Sequence, residues 1–346
     1  MKAVVYQDVE QIKVDDVPDP EIEHPADAIV KITTAAICGS DLHFYHGKAP
    51  LMPGETIGHE GVGIVEATGP EVGRVKSGDR VVLAFTIGCG HCWFCQHGQT
   101  ALCEEFRGLG AGMFGGGLGG AQAERVRVPN ADLNLLPIPE GMEDERALFV
   151  GDILTTAYYG AAVAGIESGD SVAVVGAGPV GFLTVQAAQL HDPKQVLAID
   201  MDQSRLALAE KVGGVPVSAK ERNPQMAVSD LTEGRGADVV IEAVGNTSAY
   251  DTAFEVVRRG GRICVLGMFV SESIEAPLGV YWARALRLQF AGITPVQGYW
   301  NGAMKAVQEG KIDPLPVISH RLPLEDAPKG YELFARREAT KVVLKP

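Results

Sequence analysis

The 346-residue sequence predicts an α/β protein in which a doubly wound parallel sheet is joined to a second domain of short β-strands. Three observations lead there. Domains commonly run to about 100–200 residues, so this length asks for two. Residues 151–293 alternate short β-branched runs with helical segments, an order that requires parallel strands and crossover helices. Before residue 150 the texture is different: runs of Val and Ile are cut at close intervals by Pro and Gly, as in a small barrel of antiparallel strands.

Taken in order, the first domain has strand candidates at 28–33, 62–67 and 80–85, separated by Pro53-Gly54, Gly69-Pro70 and Ser77-Gly78-Asp79. Glycine dominates 108–120, which reads as a mobile surface loop. In the second domain the strand candidates are 171–175, 195–200, 239–243, 262–266 and 288–292. Helices are expected at 182–190 and at 204–212, where Leu206, Leu208, Ala209 and Val212 are the apolar positions. A helix near 300–308 and a strand at 341–344 follow, and residues 294–346 are expected to return to the first domain.

Composition removes several function classes. A net charge of -14 opposes nucleic-acid binding, and no basic patch offsets it. Six cysteines are too few, in a chain able to bury a large core, to be a disulfide scaffold. Residues 1–8 hold one Lys and a short apolar run, far from a signal peptide, so a cytosolic chain is expected. Residues 171–190 carry no charge and could span a bilayer by length alone. Gly176, Gly178, Pro179 and Gly181 inside them, and Gln186 and Gln189 near the end, read instead as strand, turn and buried helix.

The 171–175 strand runs directly into Gly176-Ala177-Gly178-Pro179-Val180-Gly181. Between strand and helix each glycine of this pattern does something different. The first permits the tight turn, the second lets backbone approach a pyrophosphate, and the third lets helix pack on strand. Asp200 ends the next strand, nineteen residues after Gly181, where a carboxylate accepts bonds from ribose hydroxyls and repels a 2′-phosphate. The cofactor expected is therefore NAD. Arg205 lies close enough to offset that repulsion or to flank the adenine.

Cys89, Cys92, Cys95 and Cys103 follow the spacing C-x2-C-x2-C-x7-C. Four thiolates in one lobe, about 88–104, close a tetrahedral shell around zinc and leave no place for substrate, so this ion is structural. His91 and His97 are then solvated. Cys264 sits in an apolar strand and reads as core.

A further set is spread along the chain: Cys38-Gly39-Ser40-Asp41-Leu42-His43 and Gly58-His59-Glu60-Gly61. Singly, such a Cys is a small core residue and such a His a satisfied polar one. With the four-cysteine lobe, Gly151-Asp152-Ile153-Leu154-Thr155-Thr156, and the Gly176 turn with Asp200, these segments resemble the medium-chain zinc-dependent alcohol dehydrogenases, in order and over nearly the whole length. The resemblance implies a GroES-like catalytic domain at 1–150 and 294–346 and a Rossmann NAD-binding domain at 151–293. It implies Cys38, His59 and Asp152 as ligands of a catalytic zinc, with Glu60 beside the metal and able to bind it. Asp152 stands where many members have Cys, which places the chain nearer the bacterial members. Asp41 is implied as the partner that orients His59.

The same resemblance implies the chemistry, the reversible oxidation of a primary or secondary alcohol to aldehyde or ketone. Ser40 bonds the substrate oxygen and passes its proton through the cofactor ribose to His43. Thr156 touches the nicotinamide, Val244 and Leu266 line the cofactor site, and Lys341 approaches the pyrophosphate, an exposed strand lysine being the plainer alternative. Phe85 and Met268 match pocket positions, a core aromatic being the alternative for Phe85. Polyol and glutathione-independent formaldehyde-type dehydrogenases are the competing activities, the latter because 38–43 and Ala121-Gln122-Ala123-Glu124 look like that branch. A catalytically silent relative would have lost ligands that this chain retains. Relatives of this kind are dimers or tetramers, and the short bacterial form points to a tetramer, with no membrane or nucleic-acid partner.

Overall fold

The computed structural model describes residues 1–270 and 273–346. Two compact units are present. One comprises Met1–Thr155, Ile293–Gln308 and Pro314–Pro346; the other comprises Thr156–Gly292 with Glu309–Asp313. The boundary between Thr155 and Thr156 falls inside the helix Ile153–Val163.

The second unit holds six strands in the order Val215–Ser218, Gln195–Asp200, Ser171–Val175, Ala237–Glu242, Val257–Val265 and Arg287–Phe290, all neighbours parallel. The chain starts in the middle, works outward to one edge and then crosses to the other side. The order therefore reverses between Ser171–Val175 and Ala237–Glu242, the place where a doubly wound sheet opens a crevice at its carboxyl ends. Every residue of Ser171–Val175 is buried, which explains a continuous apolar run instead of an alternating one: both faces of a parallel sheet are covered. Ala173, Leu197, Ile199, Val240 and Ile263 pack there with Tyr250 and Phe254. Each large apolar side chain buried in this way contributes about 1.5–3 kcal/mol.

Local chemistry sets the helix starts. Asp202, Asn223 and Asn246 cap Gln203–Lys211, Pro224–Leu231 and Thr247–Val256 by accepting backbone N–H groups of the first turn. The helix expected from 182 begins at Pro179, because proline suits the first helical position, where an N–H has no partner to lose. The strand Val215–Ser218 was not expected from the sequence; it has Pro216 near its centre and two valines, too little periodicity to identify. Cys264 is buried in Val257–Val265, as core.

In the first unit a seven-stranded sheet runs His320–Pro323, Val342–Lys345, Ala28–Ile37, Glu60–Thr68, Arg80–Leu83 and Leu135–Pro137, with Arg125–Val128 also paired to Ala28–Ile37. All pairs are antiparallel except the first, which is parallel. Its core gathers Val30, Ile32, Ile37, Val81, Leu83, Tyr331 and Leu344.

The structure corrects one expectation. The glycine-rich 108–120 segment is not a loop lying wholly on the surface: Gly108, Leu109, Gly110, Leu118 and Gly120 are buried. It lies against the backbone of Ile57 and Gly58, where a Cβ on Gly110 would meet Gly58 O at 2.4 Å and one on Gly120 would meet Ile57 O at 2.0 Å. Gly110 and Gly120 are there for close approach of two backbones, whereas Gly116, Gly117 and Gly119 are exposed.

Candidate active site

Cys38 follows the end of Ala28–Ile37, His59 precedes Glu60–Thr68, and the two strands are paired through Ala36 and Glu60. Asp152 arrives from a third segment. The backbone of Gly151 lies against Leu83, leaving 2.1 Å for any Cβ, and its carbonyl accepts the Phe85 N–H. Sheet register and one glycine thus bring three distant side chains together. His59 Nε2 lies 3.2 Å from Asp152 Oδ2, Cys38 Sγ lies 3.5 Å from the same oxygen, and all three residues are buried.

These donor atoms lie within 4.8 Å of one another and could hold a metal ion. Separations of this size suit three ligands placed about 2.0–2.3 Å from a common ion, and thiolate, imidazole and carboxylate are a donor set for zinc. The electrostatics agree. Burial pushes the Cys38 thiol up. Burial would lower His59, yet the charges of Asp41 and Cys38 outweigh it and hold the imidazole well above its usual value. Burial would raise Asp152, and its bond and charge partner His59 reverses that. The pocket is thus arranged for positive charge at its centre.

Around this centre lie the remaining candidates of the first unit. Asp41 Oδ1 is 3.0 Å from His59 Nδ1, and its Oδ2 accepts the Cys38 N–H at 2.9 Å. Ser40 Oγ is 3.1 Å from His59 Nε2. His43 lies in the helix Asp41–Tyr45, partly exposed. Glu60 is fully buried and forms an ion pair with Lys341, whose ammonium also lies 5.7 Å from the centre of the Phe149 ring. At 1% exposure and engaged by Glu60, Lys341 is neither the exposed strand lysine nor the pyrophosphate contact expected of it: its ammonium is used inside the first unit. Burial pushes Glu60 up to about 7 against the pull of Lys341. The Phe85 ring stands 6.0 Å from that of His59, so Phe85 borders the cluster.

The four cysteines of the lobe form a second group within 4.8 Å. Cys89 and Cys95 sulfurs are 3.9 Å apart, as are those of Cys92 and Cys103. The N–H groups of Cys95 and Glu104 pull Cys92 down to about 6, while burial pushes Cys95 up to about 12. Four thiolates this close repel one another unless a cation sits among them. His91 is exposed and meets Glu105 at 2.9 Å; His97 stacks on Trp93 with ring centres 4.0 Å apart. Neither is needed to complete the four-sulfur set.

In the second unit Gly176 has φ +93°, and a Cβ on Gly181 would fall 1.8 Å from Gly176 O. This turn excludes other residues at both ends. Gly178, Pro179 and Val180 open the helix Pro179–Gln189, so its first N–H groups are offered to an anion. Asp200 Oδ2 accepts the Ala177 N–H at 2.7 Å and Oδ1 accepts the Asp202 N–H at 2.9 Å. Arg205 Nη1 is 4.0 Å from Oδ2. Thr156 is partly buried in its helix, Leu266 is buried, and Val244 and Met268 are exposed.

Sequence reasoning missed three buried polar residues. Glu242 Oε1 accepts the Val244 and Gly245 N–H groups, each at 2.8 Å, shaping the loop that carries Val244; a carboxylate ending an apolar strand was the available signal. Gln122 and Tyr331 form a chain behind Asp41: the Tyr331 hydroxyl donates to Gln122 Oε1 at 2.9 Å, and Gln122 Nε2 donates to Asp41 Oδ2 at 3.1 Å. Burial raises Tyr331 well above its usual range, which keeps it a donor. A glutamine between two alanines was visible in the sequence; a tyrosine 209 residues away was not.

Comparison with known proteins identifies the family. Residues 24–140 match the alcohol dehydrogenase GroES-like domain and residues 179–309 the zinc-binding dehydrogenase domain. The chain is 39% identical to the uncharacterized zinc-type alcohol dehydrogenase-like protein AdhB of Bacillus subtilis, over the full length of both. The solved alcohol dehydrogenase TADH from Thermus sp. ATN1 superposes with a TM-score of 0.96 at 43% identity, covering 100% of this chain and 99% of that one. A Sinorhizobium meliloti protein solved bound to NADP superposes with a TM-score of 0.89 at 31% identity, covering 100% of this chain and 99% of that one. The chain therefore belongs to the medium-chain zinc-dependent alcohol dehydrogenase family.

Proposed function

We propose that this protein is an NAD-dependent zinc alcohol dehydrogenase, oxidising a primary or secondary alcohol to the aldehyde or ketone and catalysing the reverse. The observation that carries the reading is the buried Cys38, His59 and Asp152 triad, with donor atoms within 4.8 Å. In this reading it holds the catalytic zinc, and Cys89, Cys92, Cys95 and Cys103 hold a structural one. An ion held by these three side chains would supply Lewis acidity that lowers the pKa of an alcohol oxygen. Bound at the Gly176–Gly181 turn, NAD supplies the hydride acceptor.

The chain's own residues do the rest. Ser40, 3.1 Å from His59 Nε2, orients the alcohol at the cluster; its Oγ accepts the alcohol proton as its own hydroxyl proton is passed on toward His43. His43, partly exposed on the next turn, is the base that delivers the proton to solvent, a role suited to an imidazole with an unperturbed pKa of about 6.5. Asp41 fixes the His59 tautomer, and Phe85, whose ring stands 6.0 Å from that of His59, contributes apolar surface for the substrate. Asp200 selects NAD: both carboxylate oxygens are already held by backbone donors, so the charge stays where a 2′-phosphate would be repelled. Among the described residues no helix is long and apolar enough to cross a membrane.

Metal analysis of the purified protein is expected to give about two zinc ions per chain, falling to about one with loss of activity on mild chelation. Cys38→Ser is expected to abolish activity; full activity in that variant overturns the site. A panel of primary, secondary and polyol alcohols and formaldehyde, followed by NADH absorbance, selects among the substrate classes.

A further inference from the structure

The structure assigns Gln122 as a positioning residue for the Cys38–His59–Asp152 centre, itself held in place by Tyr331; this rests on the reading of that centre as the catalytic zinc site. Five segments meet at Gln122. Its backbone N–H donates to Ile57 O at 3.1 Å, and its carbonyl accepts the Val4 N–H at 2.8 Å. The side-chain amide donates to Ala36 O and to Asp41 Oδ2, both at 3.1 Å. Its Oε1 accepts the Tyr331 hydroxyl at 2.9 Å. Gln122 and Tyr331 are both 0% exposed. These contacts leave the amide one orientation, because its two other partners are acceptors and Tyr331 is a donor.

Gln122 also fills the space beside the chain that carries His59. Gly58 has φ +95°, and a Cβ there would lie 2.2 Å from Gln122 Cγ. The same segment is held to Gly58 through the Ala121 N–H, 2.8 Å from Gly58 O, and the buried glycines Gly110 and Gly120 close against Gly58 and Ile57. The glycine-rich segment thus brings Gln122 up to the His59 backbone. Gln122 controls both sides of the imidazole: the main chain before it, and Asp41 3.0 Å from its Nδ1. An outer partner of this kind acts on metal retention, since it decides how firmly the imidazole is aimed.

The test measures loss of zinc from the intact, loaded protein to a colorimetric chelator, with the four-cysteine ion as internal reference. Gln122→Leu is expected to speed release of the labile ion about tenfold and leave the reference ion unchanged. Tyr331→Phe, which removes only a hydroxyl, is expected to move release the same way by a smaller factor, and the double variant to match Gln122→Leu alone because Tyr331 acts through Gln122. With cobalt in place of the labile zinc, the visible absorption bands are expected to shift in both variants. Unchanged release and bands in Tyr331→Phe and in any folded Gln122→Leu overturn the assignment, and additive effects overturn the order of the chain. If Cys38→Ser retains the labile ion, the underlying zinc-site reading fails instead, and the two failures are told apart.

Discussion

A single carboxylate illustrates how much rests on individual residues. Asp200 receives two backbone N–H groups, so it is fixed before any cofactor arrives, and pre-fixed charge discriminates without further ordering. Asp200→Ala is expected to raise the KM for NAD about tenfold and to make NADP a usable cofactor; paired kinetics with the two nucleotides check this, and a clear NADP preference in the unmodified enzyme overturns the selection argument. Gly120 is a residue of the opposite kind, needed for what it lacks. With Ile57 O 2.0 Å from the position of any Cβ, Gly120→Ala is expected to destabilise the fold by about 1–3 kcal/mol, seen as a lowered thermal midpoint. Asp200 was legible in the sequence because its distance from the glycine turn is set by one helix and one strand. The role of Gly120 was not, because a glycine-rich run reads the same whether it is exposed or pressed against another backbone.

Elements in the second unit are tied at their ends by charge. Asp238, near the start of Ala237–Glu242, accepts the Ser171 N–H at 2.8 Å and an Arg258 guanidinium N–H, joining three neighbouring strands. Burial would raise its carboxyl, but the Ser171 N–H and Arg258 outweigh it and hold it below the usual value. The folded state therefore binds this proton less readily than the unfolded chain. The stabilisation is complete above the unfolded pKa of about 3.9 and is lost as pH falls through the lower, folded value. Asp238→Asn is expected to cost about 2 kcal/mol at neutral pH. The gap between wild type and variant should close in strong acid, as denaturant titrations across pH would show; a gap independent of pH sinks the proposed linkage. The central strand positions in this unit were readable from apolar runs, since a central parallel strand is buried on both faces. Arg287–Phe290 was also read from the sequence, although all four of its residues are exposed. The exception, Val215–Ser218, is a short edge strand whose sequence has little to bury.

At the scale of the whole molecule we propose a homo-oligomer, with a tetramer favoured. Large apolar side chains stand exposed near one edge of the parallel sheet, including Leu278, Val280, Trp282 and Phe290, with Trp282 at 85%, and Arg287–Phe290 is the edge strand on that side. Surfaces of this kind mark association. Light scattering is expected to give four times the 36.6 kDa chain mass, and a monomer mass at working concentration overturns the proposal. The sequence by itself determined the α/β class, the phosphate-type turn and the four-cysteine lobe, because each depends on spacing along the chain or on side-chain chemistry. The donors Cys38, His59 and Asp152 were reached only through the family resemblance, since each reads locally as an ordinary residue. Only the tertiary structure decided what lies behind those donors: Lys341 on Glu60, the glycine segment against Gly58, and Tyr331 reaching Asp41 through Gln122. Those contacts arise from sheet register and from backbones packed within van der Waals distance, and neither leaves a local signature in the order of residues.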